Sequence, residues 1–253
     1  MKITVLGCGS SGGVPLVGNN WGNCDPQNPR NRRTRVSILV EQGDTVLIVD
    51  TGPDFREQAL ACNLQKLDGV IFTHAHADHS HGIDDLRSVN WLTQKPIPIY
   101  ADKKTLDDLT TRFDYIFAPR KSQLFYRPVI NPHEIVGAFS VGDINIKPFY
   151  QNHGYTHSMG FRFGDFAYST DVHALDDAAW EALRGVKIWL VDCVREEPHP
   201  THSHMSQTLE WIKKLKPERA ILTHMSQKLD YDTLCKTLPR GVEPAYDGMV
   251  IEC

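Results

Sequence analysis

Only six cysteines occur among the 253 residues, and no two of them form a CxxC pair. Cys8, Cys24, Cys62, Cys193, Cys235 and Cys253 are scattered. That spacing argues against a cysteine zinc cluster and for reduced thiols in a cytoplasmic protein. No apolar run approaches the length of a membrane span, so no membrane partner is expected. A secretory leader is not legible either: Met1-Lys2 leads straight into Ile3-Thr4-Val5-Leu6, a short strand ending at Gly7. Positive charge is not in excess. The formal net charge is −4, which makes nucleic acid an unexpected partner. Arg30, Arg32, Arg33 and Arg35 form the only dense basic run, readable as a solvated loop or as a phosphate-binding element. No Ser/Gly linker, charge block or fixed-period repeat divides the chain. With 41% hydrophobic and 23% charged residues, 1–253 reads as a single domain with its own core.

What is present is a dense set of metal-ligand residue types. Thr73-His74-Ala75-His76-Ala77-Asp78-His79 follows the apolar stretch Gly69-Val70-Ile71-Phe72, which reads as a buried strand. Side chains alternate along a strand, so His74 and His76 leave its end on the same side. Asp78 and His79 follow where the chain turns into an expected helix, Ser80 to Leu92. Neutral imidazole and carboxylate are the usual ligands of zinc and other first-row divalent ions.

Further ligand-type residues recur after β-rich runs. Ile146 to Tyr150 leads to Asn152-His153, Phe166 to Thr170 leads to Asp171, and Ala220 to Thr223 leads to His224. Together they complete a two-ion set: His74, His76 and His153 for one metal, Asp78, His79 and His224 for the other, and Asp171 between them. Other expected strands are 3–6, 36–40, 46–49, 97–100, 135–139, 143–149, 159–163, 186–191 and 249–251. Expected helices are 55–63, 102–115 with Asp102 as N-cap, 176–184 and 205–215. The segment 116–132, with Phe117, Phe125 and Tyr126, reads as a lid over a pocket or as a packed surface excursion. The pattern is α/β, two mixed sheets with helices outside.

Asp50-Thr51-Gly52, His74-x-His76-x-Asp78-His79, His153, Asp171 and His224 together resemble the motif series of the metallo-β-lactamase superfamily. The likeness runs from Gly7 to Asp247 and implies a four-layer αβ/βα sandwich. Gly7-Cys8-Gly9-Ser10-Ser11-Gly12-Gly13-Val14-Pro15, Ser169-Thr170-Asp171, Leu222-Thr223-His224 and Asp247-Gly248-Met249 are similar to the phosphodiesterase branch, above all to the phosphoribosyl cyclic phosphate phosphodiesterases. The resemblance implies two divalent ions, manganese or zinc, and a small cyclic or nucleotide-like phosphodiester substrate. It also implies a homodimer.

The expected chemistry is attack of a metal-bridging hydroxide on phosphorus, with Asp78 both ligating and orienting the water. In the related endonucleases a His-x-Ser/Thr element supplies the proton for the leaving alkoxide. Here that element assigns the acid to His204, with His202 as the competing residue. Asp50 is expected to hold the tautomer of a ligand imidazole, or simply to cap a turn. The Gly9 to Gly13 backbone fits a phosphate cradle or a tight turn. Members of the branch carry a cysteine cluster for a structural zinc. Only Cys24 stands in that loop, with Gln227 at the later position, so no structural zinc is expected. The alternatives are a tRNA 3′-end endonuclease, a carrier protein of quinone-cofactor biosynthesis type, and a thioesterase on the metal loop alone.

Overall fold

The computed structural model describes residues 1–117 and 129–253. Its strands, in chain order, are β1 (Lys2–Gly7), β2 (Ser37–Gln42), β3 (Thr45–Val49), β4 (Gly69–Ile71), β5 (Ile97–Ala101), β6 (Ile130–Glu134) and β7 (Phe139–Val141). They continue with β8 (Ile144–His153), β9 (Thr156–Phe163), β10 (Phe166–Ser169), β11 (Ile188–Asp192), β12 (Arg219–Thr223), β13 (Val242–Pro244) and β14 (Val250–Glu252). The helices are α1 (Phe55–Ala61), α2 (Ala77–Ser80), α3 (Leu86–Thr93), α4 (Lys103–Arg112), α5 (Asp114–Phe117), α6 (Asp177–Leu183), α7 (Met205–Leu215) and α8 (Tyr231–Thr237).

Among the described residues the strands form two seven-stranded sheets, ordered β14-β1-β2-β3-β4-β5-β6 and β13-β12-β11-β10-β9-β8-β7. Both are mixed. In the first, β3 to β6 run parallel and β14, β1, β2 and β3 alternate. In the second, β10 to β13 are parallel and β7 to β10 alternate.

Period-two alternation explains the layering. Ile38, Val40, Leu47 and Val49 point into the core shared with β8 to β12. Their neighbours Leu39 and Ile48 point the other way, onto Phe55 of α1, Leu86 and Val89 of α3 and Leu109 of α4. The first sheet is therefore buried on both faces, giving the expected α/β sandwich of two mixed sheets with outer helices.

Helix starts are chemically marked. Asp102, Asp176 and Asp230 accept the backbone N–H of Thr105, Ala179 and Thr233 at 2.8, 2.8 and 2.9 Å, which satisfies donors that α4, α6 and α8 leave unpaired.

The long N-terminal loop is tied down by hydrogen bonds, an ion pair and ring contacts. The Arg33 guanidinium is buried and donates to the carbonyls of Ser226 (3.2 Å) and Leu229 (2.7 Å). Cys24 Sγ also points at the Leu229 carbonyl, 3.4 Å away. Arg35 pairs with Asp54, Arg30 lies over Tyr231 and Tyr246, and Arg32 lies over Trp21. The basic run thus has individual structural partners. The glycines read likewise: a Cβ on Gly9 would meet the Arg33 and Thr34 carbonyls at 2.9 Å.

Some expected elements shift. The helix expected over 80–92 is three pieces: α2, a 3₁₀ turn at Ile83–Asp85, and α3. The break falls at Gly82, whose N–H bonds the Thr51 carbonyl at 2.8 Å and whose Cα packs on the Gly52 carbonyl. The helix expected over 102–115 ends at Arg112. The strand expected over 135–139 is replaced by β6 before it and β7 after it, and α8 and β13 add to the expected elements. Most of the 116–132 segment, Phe125 and Tyr126 included, lies outside the described residues.

A methyl group on Gly82 would strike the Gly52 carbonyl and sit 2.9 Å from Phe55 Cβ. Gly82→Ala is therefore expected to lower stability by about 2 kcal/mol or more. An unchanged denaturation midpoint would refute this reading of the helix break.

Candidate metal centre

β3, β4, β8, β10, β11 and β12 end on one rim, and a candidate site residue follows or closes each. Asp50 follows β3, the 73–79 loop follows β4, and His153 closes β8. Asp171 follows β10, Asp192 closes β11 and His224 follows β12. Three of these residues turn the chain sharply: Asp50, Asp171 and His224 have φ of 65°, 52° and 57°. Left-handed backbone costs a residue with a Cβ about 1–3 kcal/mol. The cost is accepted here because the turn swings each side chain inward from its strand end.

The seven residues expected as ligands come together in two overlapping groups: His74, His76, His153 and Asp171, and Asp78, His79, Asp171 and His224. Asp171 faces both. Its Oδ2 lies 3.4 Å from His153 Nε2 and 3.8 Å from His74 Nε2. Its Oδ1 lies 3.0 Å from His79 Nε2 and 3.4 Å from His224 Nε2. Asp78 Oδ2 completes the second group, 3.4 Å from His79 Nε2 and 3.8 Å from His224 Nε2. On the other side, His76 Nδ1 lies 3.4 Å from His153 Nε2. The centre is buried except toward His76 and Asp78.

Partners behind the rings fix which nitrogen faces inward. His153 Nδ1 lies 2.7 Å from the Thr201 carbonyl, an acceptor, so Nδ1 carries the proton. His79 Nδ1 lies 2.7 Å from Asp50 Oδ2, and His74 Nδ1 lies 3.0 Å from Thr73 Oγ1. Asp50 also accepts the Thr73 N–H and hydroxyl, each at 2.8 Å. The Thr170 hydroxyl donates to Asp171 Oδ1 at 2.9 Å. Consequently the Nε2 atoms of His74, His79 and His224 are buried, face the carboxylates, and have no aligned hydrogen-bond partner among the described residues. Convergent imidazole nitrogens without a donor or acceptor suit a divalent cation.

Electrostatics divide the imidazoles. Burial lowers His74, His76 and His153, with His74 pushed furthest. Burial alone would lower His224 too, but Asp171, Asp192 and Asp78 outweigh it and hold the ring up at about 10. Asp171, Asp78 and Asp50 likewise hold His79 well above its usual value. Burial would raise the Asp171 carboxyl, yet the charges of His224, His79 and His202 pull it well below the usual range.

Asp192 is the site residue that sequence reasoning missed. Its Oδ2 lies 3.2 Å from His202 Nδ1 and accepts the Val172 N–H at 3.1 Å, and its Oδ1 lies 3.5 Å from His224 Nδ1. The signal was present: Asp192 ends the buried run 186–191, just as Asp171 and His224 follow theirs. His202 stacks on His224 at 4.7 Å and meets His153 edge-on at 4.8 Å. His204 is the N-cap residue of α7, half-buried, and its ring makes no hydrogen bond, ion pair or ring contact among the described residues.

Fold and centre together are of the metallo-β-lactamase type. The beta-lactamase superfamily domain matches residues 45–225. A crystal structure of a diphosphatase from the PhnP family superposes with a TM-score of 0.91 at 36% identity, covering 100% of this chain and 97% of that one. An octanoyltransferase from Porphyromonas gingivalis is 31% identical over 255 residues, covering 98% of this chain and 51% of the relative. The chain spans about half the length of the curated relatives it matches. Zn2+-bound PqqB from Methylobacterium extorquens shares the fold, with a TM-score of 0.78, 18% identity and 100% coverage of both chains. The chain therefore belongs to the beta-lactamase superfamily and, within it, to the PhnP family. Among the described residues no helix is long and apolar enough to cross a membrane.

Asp50→Ala would strip the acceptor from three buried donors. It is expected to cost about 2–5 kcal/mol in thermal unfolding at matched metal content. Wild-type stability in that variant would show that Thr73 and His79 need no carboxylate.

Proposed function

We propose that this chain hydrolyses a small cyclic or nucleotide-like phosphodiester, working with two divalent ions, manganese or zinc, in a reducing compartment such as the cytoplasm. The observation that carries the reading is the division of Asp171, whose two oxygens face two separate groups of ligand atoms. The full-length likeness to a PhnP-family diphosphatase supports phosphorus as the reacting centre. His74, His76 and His153 would hold one ion, Asp78, His79 and His224 the other, and Asp171 both. When bound, the ions supply Lewis acidity toward a phosphoryl oxygen and an activated water.

The remaining steps belong to side chains. Asp50 and the Thr201 carbonyl keep the Nδ1 protons of His79 and His153, so Nε2 stays turned inward. Asp78 stands at the open side, where its carboxylate orients the incoming water. The leaving alkoxide needs a proton as its bond to phosphorus breaks. We assign that donation to His202: Asp192 holds its Nδ1, and its ring lies among the ligand imidazoles. The sequence motif favours His204, and the two assignments make opposite predictions.

One metal-analysed sample should be assayed with bis-p-nitrophenyl phosphate, p-nitrophenyl acetate and a ribose cyclic phosphate, before and after manganese is added. Turnover of the phosphodiesters with little esterase activity is the expected result. A metal-loaded protein that cleaves only the acetate would replace this reading with an acyl hydrolase, and one that cleaves none with a carrier role. Asp171→Ala should lower total bound metal per chain, and retention of two ions would sink the shared-ligand assignment. His202→Ala should slow alkoxide-leaving substrates about 100-fold more than p-nitrophenolate esters, whose leaving group needs little protonation. If His204→Ala shows that selectivity and His202→Ala does not, the acid is His204.

A further inference from the structure

The wall of the centre beside His153 carries two side chains that the proposed chemistry does not use, Tyr155 and His199. Tyr155 lies in the two-residue turn, Gly154-Tyr155, that joins β8 to β9, with His153 paired to Thr156 across it. The turn is held on both sides. The Gly154 N–H donates to Asn152 Oδ1 at 3.0 Å, and His153 Nδ1 donates to the Thr201 carbonyl at 2.7 Å. Gly154 packs so closely on the 200–201 segment that a Cβ there would meet Thr201 Cγ2 at 2.6 Å. The Tyr155 side chain is nevertheless 97% exposed and has no partner among the described residues. A turn this short leaves the backbone little freedom, so the ring is presented at a fixed place close to His153. His199 stands on the neighbouring segment, half-buried. Its Nδ1 accepts the Thr201 N–H at 3.3 Å, so Nε2 carries the proton. Its ring meets His202 edge-on at 4.8 Å. His202 is the group assigned to the leaving alkoxide, so Tyr155 and His199 border the side from which the leaving group departs.

We propose that Tyr155 is a specificity-determining residue that stacks on a nucleobase carried by the leaving-alkoxide side of the substrate, with His199 bordering the same space. The inference rests on the phosphodiesterase reading and narrows its substrate class to nucleoside phosphodiesters. A base has a flat face and a polar edge. A tyrosine ring covers the face while its hydroxyl stays in water. Stacking of this kind asks for no hydrogen bond from the base, so it separates nucleosides from plain sugars without choosing strongly among bases. The His199 Nε2–H adds a donor for the base edge.

The test compares adenosine 2′,3′-cyclic phosphate with methyl riboside 2′,3′-cyclic phosphate, in which a methoxy group replaces the adenine. Each is measured as a competitor of bis-p-nitrophenyl phosphate turnover. The ratio of the two inhibition constants is read within each protein, so a change in the reporter's own binding cancels. The wild type should favour the adenosine compound about 5- to 100-fold, the range of one base–aromatic stack. Tyr155→Ala should bring the ratio to about 1, and Tyr155→Phe should keep most of the preference, since the face of the ring is retained. The proposal is overturned if the wild type shows no preference or if Tyr155→Ala keeps it. It is also overturned if Tyr155→Phe loses the preference as fully as Tyr155→Ala, which would assign the effect to the hydroxyl. A fall in the mass of the particle in solution with Tyr155→Ala would overturn it as well, by making the ring an interface between copies. A wild-type protein inert toward bis-p-nitrophenyl phosphate would instead refute the phosphodiesterase reading, and this inference with it.

Discussion

Balancing buried charge is the constraint on which the structure turns. Asp50, Asp171 and Asp192 are almost wholly buried, and Asp78 lies beside them. A carboxylate taken out of water is tolerable only when donors or opposite charges surround it. Here each has them. Asp50 takes three donors from Thr73 and His79, Asp192 serves Val172, His202 and His224, and Asp171 lies among the imidazoles of His74, His79, His153 and His224. The strand ends, the left-handed turns and the close approach at Gly52 and Gly82 all place these groups together. The same carboxylates raise His79 and His224, a negative field that favours a cation at the centre.

The alternating runs of the central strands made the two sheets legible, because period-two burial leaves a direct trace in sequence. The ligand types were legible for a related reason: each follows a buried run, so side-chain chemistry and strand ends coincide. What escaped was tertiary in origin. The break at Gly82 depends on Gly52, thirty positions earlier, and no local signal announces that contact. Strand β6 runs as Ile130-Asn131-Pro132-His133-Glu134, is mostly exposed, and pairs only with β5 within its sheet, so it shows no alternation to read. Asp192 was passed over because an acidic residue at a strand end is common, and only its place beside His202 and His224 gives it meaning.

The arginine run shows how composition misleads without partners. Four arginines in six residues look like one surface for a phosphate. In the fold they point to four destinations: aromatic rings for Arg30 and Arg32, carbonyls for Arg33, a carboxylate for Arg35. Asp247 works alongside them. Its carboxylate accepts from Cys8 and Thr34, joining the Gly-rich loop to the turn before β14. Burial raises that carboxyl to about 6 against those hydrogen bonds.

The pairing of β1 with β14 has a consequence for synthesis. Lys2 faces Glu252 and Thr4 faces Val250, so one side of β1 finds its neighbour only after β14 has been made. Until then the ribosome-bound chain carries a bare β1 edge, open to wrong partners, while β2 to β13 are made. The mature sheet hides that hazard, and the nascent chain must survive it each time the protein is made.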